Sequence, residues 1–149
     1  HHNMSVYVKR TSTAANKIVP DLTFRGYKSL AINSGDFKNS GDTFFVYYHV
    51  GPICIVSFYL TAAKAFGTWH DAIVNSSSTI PSPAMAVQGS STMDSIYMGG
   101  CWAQSNFTSQ PLIQVTNMGV FKLRTMNAKF AIGESFRGTF AYITDDTVL

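Results

Sequence analysis

The chain has 149 residues, enough for one domain with a substantial core. Hydrophobic residues make up 46% of it but charged residues only 13%, about half the usual share of a soluble domain. The polar surface must therefore be built mainly from Ser, Thr, Asn and Gly. The formal charge of +3 comes from scattered Lys and Arg, whereas a nucleic-acid-binding domain concentrates its basic residues on one face. The composition thus argues against nucleic acid as a partner.

No segment has the pattern of a secretion signal or a membrane anchor. The N-terminus lacks an apolar core region, and no apolar run reaches the roughly 18 residues that span a bilayer. His1-His2-Asn3 resembles the remnant of a purification tag. We therefore expect residues 1–3 to be tag and residues 4–149 to form a single domain without membrane insertion. That domain could be a fragment of a longer protein.

Two predicted strands, at residues 5–9 and 27–32, precede a loop over residues 33–42 that is rich in Asn, Ser, Gly and Asp. Residues 43–50 are almost all β-branched or aromatic, and residues 53–60 continue in the same style after Gly51-Pro52. This pattern predicts an antiparallel hairpin. Because both of its faces carry apolar or aromatic side chains, we expect a second layer or a neighbouring subunit to cover each side.

The middle of the chain predicts shorter elements. Residues 61–66 favour helix but are too few for a stable one. Residues 68–74 predict a strand with Trp69 in the core, beside Ile73, and with His70 facing outward. A Ser- and Pro-rich loop over residues 75–83 follows, and then strands at residues 95–98 and 101–105, joined by a turn at Gly99-Gly100.

The clearest hairpin lies at residues 112–124. Apolar and polar residues alternate on both sides of Asn117-Met118-Gly119, where Gly119 can take a positive φ. Strands at residues 128–132 and 136–144 complete the chain.

Many short strands separated by turn signals predict an all-β protein. We expect an antiparallel β-sandwich or jelly-roll-like barrel of about eight to ten strands, with under a tenth of its residues in helix. The predicted inward-facing side chains are those of Val46, Tyr48, Ile55, Ile113, Val115, Phe121, Leu123, Phe130 and Phe140.

The sequence offers little for catalysis. Its single Glu, Glu134, lies in a predicted turn, and most Asp residues lie in loops. His70 and Asp71 are neighbours on a predicted strand, so their side chains point to opposite faces and cannot form a dyad. There is no nucleophile elbow and no phosphate-binding loop. We expect no enzymatic activity, although a catalytic set assembled from distant positions stays open.

Neither a disulfide framework nor a metal site is indicated. Cys54 and Cys101 could form one bridge, but we expect two reduced thiols, with Cys54 buried in its strand. His49 and His70 have no partner at metal-ligand spacing. We therefore expect no metal and no cofactor.

Sugar binding has better support. An aromatic ring can stack on the apolar face of a pyranose while nearby amides and acids bind its hydroxyls. Alternation in the strand after Gly99-Gly100 puts Trp102, Gln104 and Asn106 on one face. Tyr97 precedes them, and His70 or Asp71 could contribute from an adjacent strand. If Trp102 is instead a core residue, the site is expected in the loops at residues 33–42 or 75–79.

The order of these elements resembles the distal head domains of bacteriophage tail fibres and receptor-binding proteins, notably of phages that infect Gram-positive bacteria. The likeness spans roughly residues 43–144. Five features carry it: the apolar strand at residues 53–60, Trp69, the Ile-Pro-Ser-Pro segment at residues 80–83, the hairpin at residues 112–123 and the closing strand at residues 138–142.

The resemblance implies a homotrimeric, jelly-roll-like head at the tail tip of the virion, attached to an upstream fibre or baseplate protein. Such a head binds a saccharide of the host cell wall or surface without catalysis. The resemblance transfers no ligand-binding positions. Two alternatives stay open: a structural or assembly β-domain of a virion or baseplate that makes protein contacts, and a polysaccharide-cleaving domain, which the shortage of carboxylates weakens.

Overall fold

Nine β-strands and no α-helix make up the part of the chain that the computed structural model describes, which is residues 23–39, 41–75, 79–84, 95–105 and 109–146. The predicted strand at residues 5–9 and the candidate Asn106 lie outside these residues. The strands are β1 (Phe24–Ser29), β2 (Phe44–Val50), β3 (Ile53–Thr61), β4 (Asp71–Ile73), β5 (Ser95–Gly100), β6 (Trp102–Ala103), β7 (Leu112–Thr116), β8 (Phe121–Arg124) and β9 (Ser135–Ile143).

The strands form two antiparallel sheets. One has five strands in the order β1-β2-β3-β9-β6, and the other has four in the order β4-β8-β7-β5. The sheets pack face to face through aromatic side chains: the Phe121 ring of the four-stranded sheet lies 5.2 Å from the Phe45 ring and 5.6 Å from the Phe58 ring of the five-stranded sheet. The predicted all-β sandwich is confirmed. Within the described ranges, no helix is long and apolar enough to cross a membrane.

The β2–β3 hairpin forms as predicted, but the predicted inner face of β2 is wrong. Phe45, Tyr47 and His49 point into the core, whereas Tyr48 is exposed on the outer face. The physical reason lies in β3, where Cys54, Val56, Phe58 and Leu60 are buried and alternate with half-buried residues. Since cross-strand partners share a face, this alternation decides which of the two apolar faces of β2 is inside.

The predictions for the other core residues are partly wrong and partly confirmed. Ile55 pairs with Tyr48 on the outer face and is half-buried, so its inward assignment is also wrong. Val46 is buried, although it shares the face of Tyr48. Phe140 is partly buried and packs against the core. The remaining predicted core residues are buried as expected: Ile113, Val115, Phe121, Leu123 and Phe130.

Gly99-Gly100 does not form the predicted hairpin turn. Both glycines belong to β5, which bulges between Tyr97 and Gly99 and pairs with β7. The next strand, β6, pairs with β9 in the other sheet. The chain therefore passes from one sheet to the other at Cys101, whose N–H donates to the Pro111 carbonyl at 2.9 Å.

Trp69 is not a core residue. β4 begins only at Asp71, and Trp69 lies in a turn with a φ of 55° and 62% of its surface exposed. Thr125 holds this turn, because its hydroxyl donates to the Gly67 carbonyl at 2.6 Å and accepts the N–H of His70 at 3.0 Å. Because Trp69 lies in this hydrogen-bonded turn and not in a strand, its indole points to solvent. The prediction assumed strand alternation, which does not apply to a turn.

Residues 128–132 do not form the predicted strand. Phe130 makes a single bridge with Phe66, with N–H to carbonyl distances of 2.8 and 3.0 Å. Turns on both sides, at Met126 and at Gly133, interrupt any longer pairing.

The β7–β8 hairpin matches its prediction, and Gly119 takes a φ of 79°. Asn75, which the sequence places in a loop, is buried against this turn. Its amide donates to the Gly119 carbonyl at 3.2 Å and accepts the Phe121 N–H at 2.8 Å.

Candidate functional site

A row of four side chains crosses the outer face of the five-stranded sheet. The register pairs Phe44 of β2 with Tyr59 of β3, Tyr59 with Arg137 of β9, and Arg137 with Trp102 of β6. Direct cross-strand partners on one face have Cβ atoms about 4.5–5.5 Å apart. The four residues therefore form one continuous aromatic and cationic strip.

Strand alternation places these residues outside. In β3 the apolar Phe58 and Leu60 point into the core, so Ser57 and Tyr59 face outward. In β9 Phe136 is buried and Arg137 is exposed. Apolar residues on the core face thus leave the neighbouring polar and aromatic residues on the solvent side.

Arg137 lies over two aromatic rings. Its guanidinium carbon is 4.5 Å from the centroid of the Tyr59 ring and 5.3 Å from that of Trp102. Each such cation–π contact contributes about 0.5–1 kcal/mol at an exposed position. The two rings restrict the guanidinium to one region of the outer sheet surface.

A shallow groove of about 550 Å³ surrounds this strip. Ser57 and Thr139 contribute hydroxyl groups to it, with their oxygens 3.2 Å apart. The Tyr59 hydroxyl lies 3.4 Å from the Ser135 hydroxyl. Hydrogen bonds from Ser135 and from Arg137 favour the ionised phenol, so they lower the pKa of Tyr59. The groove thus combines aromatic faces with several hydroxyl groups and one cation.

Glu134 fixes the turn that follows Trp102. The carboxylate is buried and accepts the N–H groups of Ser105 and Ser135, each at 3.1 Å, and also the Ser105 hydroxyl. The Gln104 N–H donates to the Ser135 carbonyl at 3.1 Å. These bonds tie the end of β6 to the start of β9, so they position Trp102 beside Arg137.

The structure places only part of the predicted site in this groove. Trp102 is half-buried and lines the groove, so it is not a core residue. Gln104 is exposed in the turn after β6, so the predicted strand face shared with Trp102 is wrong, because β6 ends at Ala103. Tyr97 belongs to β5 of the other sheet. Asn106 lies outside the described residues.

His70 and Asp71 are not next to Trp102, contrary to the prediction. Asp71 begins β4 of the four-stranded sheet, and His70 immediately precedes that strand. Asp71 forms an ion pair with Arg124 at 2.7 Å, which lowers the pKa of its carboxyl. The His70 ring stacks on Phe66 at 5.1 Å, and its Nε2 lies 3.9 Å from Asp36 Oδ1. These contacts hold the β4 turn and do not reach the groove.

Sequence reasoning missed Phe44, Tyr59 and Arg137. One signal was available, because Ser57, Tyr59 and Thr61 alternate with apolar residues, as do Arg137 and Thr139. This alternation identifies outward-facing positions on each strand. It does not give the register that brings β3, β9 and β6 together.

Cys54 and His49 are a potential nucleophile and base that lie next to each other. They are direct cross-strand partners, but both are fully buried in the core. Burial raises the pKa of the Cys54 thiol to about 11, so the reactive thiolate is not formed at neutral pH. This geometry fits packing residues. In the described part of the chain, no group of three His, Cys, Asp or Glu side chains could hold a metal ion.

Comparison with known proteins finds no family model that matches this chain and no similar curated protein.

Proposed function

We propose that this protein is a non-catalytic saccharide-binding domain, and that it serves as the receptor-binding head of a bacteriophage tail fibre. The observation that carries the proposal is the strip formed by Phe44, Tyr59, Arg137 and Trp102 in an open groove. Its target is a saccharide of the host cell wall or surface.

The groove has the two kinds of group that sugar recognition needs. Aromatic rings cover the apolar C–H face of a pyranose and lose little conformational entropy on binding. The hydroxyls of Ser57, Tyr59 and Thr139 can exchange hydrogen bonds with sugar hydroxyls at the edge of the ring. In so shallow a site the affinity is expected to be micromolar to millimolar, and multivalency would raise it.

The assignment to a tail fibre rests on the resemblance in the order of the chain's elements. This resemblance implies that the protein is a homotrimer at the tip of the virion tail, attached to an upstream fibre or baseplate protein. A repeated head also explains how a weak site can serve adhesion, because several copies bind one cell surface together.

Two tryptophans allow a matched test. The fluorescently labelled domain is incubated with a panel of bacterial strains and with arrayed cell-wall polysaccharides. We expect Trp102→Ala to abolish binding with little change in melting temperature, because Trp102 is only half-buried. Trp69→Ala removes a more exposed indole that does not line the groove, and it should bind as the wild type does.

Each alternative result has a definite meaning. If the wild-type domain labels no strain and no polysaccharide, the proposed function is wrong. If Trp69→Ala loses binding and Trp102→Ala keeps it, the site lies at the turn before β4. Release of shorter saccharides during incubation would contradict the non-catalytic role.

A second candidate, an assembly domain that contacts other virion proteins, is favoured by one observation. Among the residues that the structure describes, nine large hydrophobic residues are exposed, and five of them lie on the five-stranded sheet: Phe24, Tyr27, Phe44, Tyr48 and Ile143. Exposed apolar patches of this kind mark protein contacts. Stable association with a fibre or baseplate protein, without any saccharide binding, would favour this candidate.

A further inference from the structure

We propose that the saccharide bound in the groove carries an anionic group, a carboxylate or a phosphate, and that Arg137 binds this group. The inference rests on the proposed saccharide-binding function and specifies its ligand. It follows from the position, the contacts and the charge of one residue.

The guanidinium is held ready for such a ligand. The rings of Tyr59 and Trp102 lie 4.5 and 5.3 Å from its central carbon, so the side chain is restrained before any ligand arrives. A guanidinium presents its N–H groups as a planar fork that fits carboxylate and phosphate oxygens in pairs. A restrained fork loses less conformational entropy on binding than a free one.

The charge of Arg137 is not neutralised within the described residues. The ion pairs there join Lys64 to Asp36 and Arg124 to Asp71. Asp42 is close enough to Tyr59 to act weakly on its pKa, but it forms no ion pair with Arg137. The cation in the groove is therefore available to an anion from outside.

Among the described residues, every other one that lines the groove is uncharged. Arg137 thus sets the sign of the charge among these residues, and none of them carries a carboxylate that would repel an anionic sugar. The pKa of Tyr59 is lowered first by the hydrogen bond with Ser135 and then by the Arg137 guanidinium, which favours negative charge beside it. A sugar could stack on the aromatic rings while its acidic substituent meets the guanidinium.

The test uses matched saccharides and a single fluorescent reporter. In a Trp69→Phe background, Trp102 is the only tryptophan, so its emission reports on the groove. The probes are a neutral hexose oligosaccharide, the corresponding uronic acid oligosaccharide and a phosphorylated form of the same length. We expect both anionic probes to bind at least tenfold more tightly than the neutral one, and their comparison separates carboxylate from phosphate.

Three variants test the role of Arg137 itself. Arg137→Gln should remove the preference for anionic probes, and Arg137→Lys should keep part of it, since Lys retains the charge but not the planar fork. Lys129→Gln removes the same charge from an exposed lysine that does not line the groove, so it should leave the preference unchanged. Labelling of bacterial cells is measured with the same variants.

The outcomes separate this inference from the proposed function. Equal affinity for neutral and anionic probes would overturn the inference while leaving saccharide binding in place. So would wild-type cell labelling by Arg137→Gln, or an equal loss in Lys129→Gln. If the wild-type protein binds neither probes nor cells, the proposed function itself fails.

Discussion

The two cysteines illustrate how burial changes the chemistry of a residue. Cys54 lies in β3 and Cys101 lies between β5 and β6, and both thiols are free and buried. Desolvation raises the pKa of Cys54 to about 11 and that of Cys101 to about 12. Both thiols therefore stay protonated and unreactive in the folded protein at neutral pH, which fits a role in packing.

This burial predicts a loss of stability in alkaline solution. Unfolded thiols ionise near the ordinary pKa of 9.0, whereas the folded thiols keep their protons up to about 11 and about 12. Between these values the native state binds more protons, so the free energy of unfolding falls as pH rises. The free energy of unfolding is highest below pH 9 and falls above it, by about 3 kcal/mol for Cys54 and about 4 kcal/mol for Cys101 once the folded thiols ionise, because each pKa unit between the folded and unfolded thiol corresponds to about 1.4 kcal/mol.

Urea denaturation at a series of pH values from 7 to about 11 measures this effect. A variant with both Cys54→Ala and Cys101→Ala should decline less steeply with pH than the wild type. Some decline will remain, because burial also raises the pKa of Tyr142. If the free energy of unfolding fell equally steeply with pH in the wild type and the variant, the raised pKa values of the two thiols would be contradicted.

Among the elements, the β7–β8 turn is the one where sequence and structure agree most closely. The local pattern predicts both strands and the positive φ of Gly119, because the strict alternation of apolar and polar residues fixes the register, although Gln114 on the polar face is buried rather than solvent-exposed. It does not predict Asn75, which binds the turn from a distant segment. In the sequence, an Asn whose buried amide bonds two backbone groups cannot be distinguished from an Asn in an ordinary loop.

Gly119→Ala is expected to destabilise the protein strongly. A Cβ at this position would overlap the Ile80 carbonyl oxygen and lie 3.1 Å from Thr79 Cβ, in addition to the strain of a φ of 79°. We expect a loss of more than about 2 kcal/mol in the free energy of unfolding. Gly41→Ala is the matched control, because Gly41 has a φ of 68° but no atom of the described residues lies within 4 Å of the added Cβ.

Thermal and urea unfolding of both variants separate steric overlap from backbone strain. Gly41→Ala should cost about 1 kcal/mol, the effect of the positive φ alone. Equal losses at the two positions would mean that Ile80 does not pack tightly against the turn.

The β2 strand and the candidate groove mark the limit of sequence reasoning. Both faces of β2 are apolar, so its own pattern cannot say which one is inside, and the alternation of β3 decides it. Trp102 can be recognised from its local composition. Tyr59 and Arg137 join it only through the pairing of β3, β9 and β6, which depends on long-range register. Local patterns therefore predict the outward-facing residues but not which of them meet.

At the scale of the whole molecule, the outer face of the five-stranded sheet has two different regions. The row Phe44–Tyr59–Arg137–Trp102 carries the groove, while Tyr27 and Tyr48 lie farther along the strands with their ring centroids 5.0 Å apart. The second region also includes Phe24 and Ile143, and these four side chains are between 41% and 51% exposed. One sheet can therefore serve both ligand binding and contact with another subunit.

We predict that the protein is a homotrimer in which this second region is the contact surface. Large apolar side chains exposed on one sheet are costly in a monomer, and the low charge of the chain offers little repulsion against association. Closed dimers are the commoner default for a single patch, so light scattering has to distinguish the two. The expected mass is three times the 16.3 kDa of one chain.

Tyr48→Glu tests the surface directly, because it places a carboxylate in the centre of the apolar region without touching the groove lining. It should dissociate the trimer while each monomer still binds saccharide, so binding to cells would weaken through lost multivalency alone. Trp69→Glu, at a still more exposed aromatic residue in the turn before β4, should leave the mass unchanged. A wild-type mass of one chain, or a Tyr48→Glu variant that keeps the wild-type mass, would contradict the proposed contact surface.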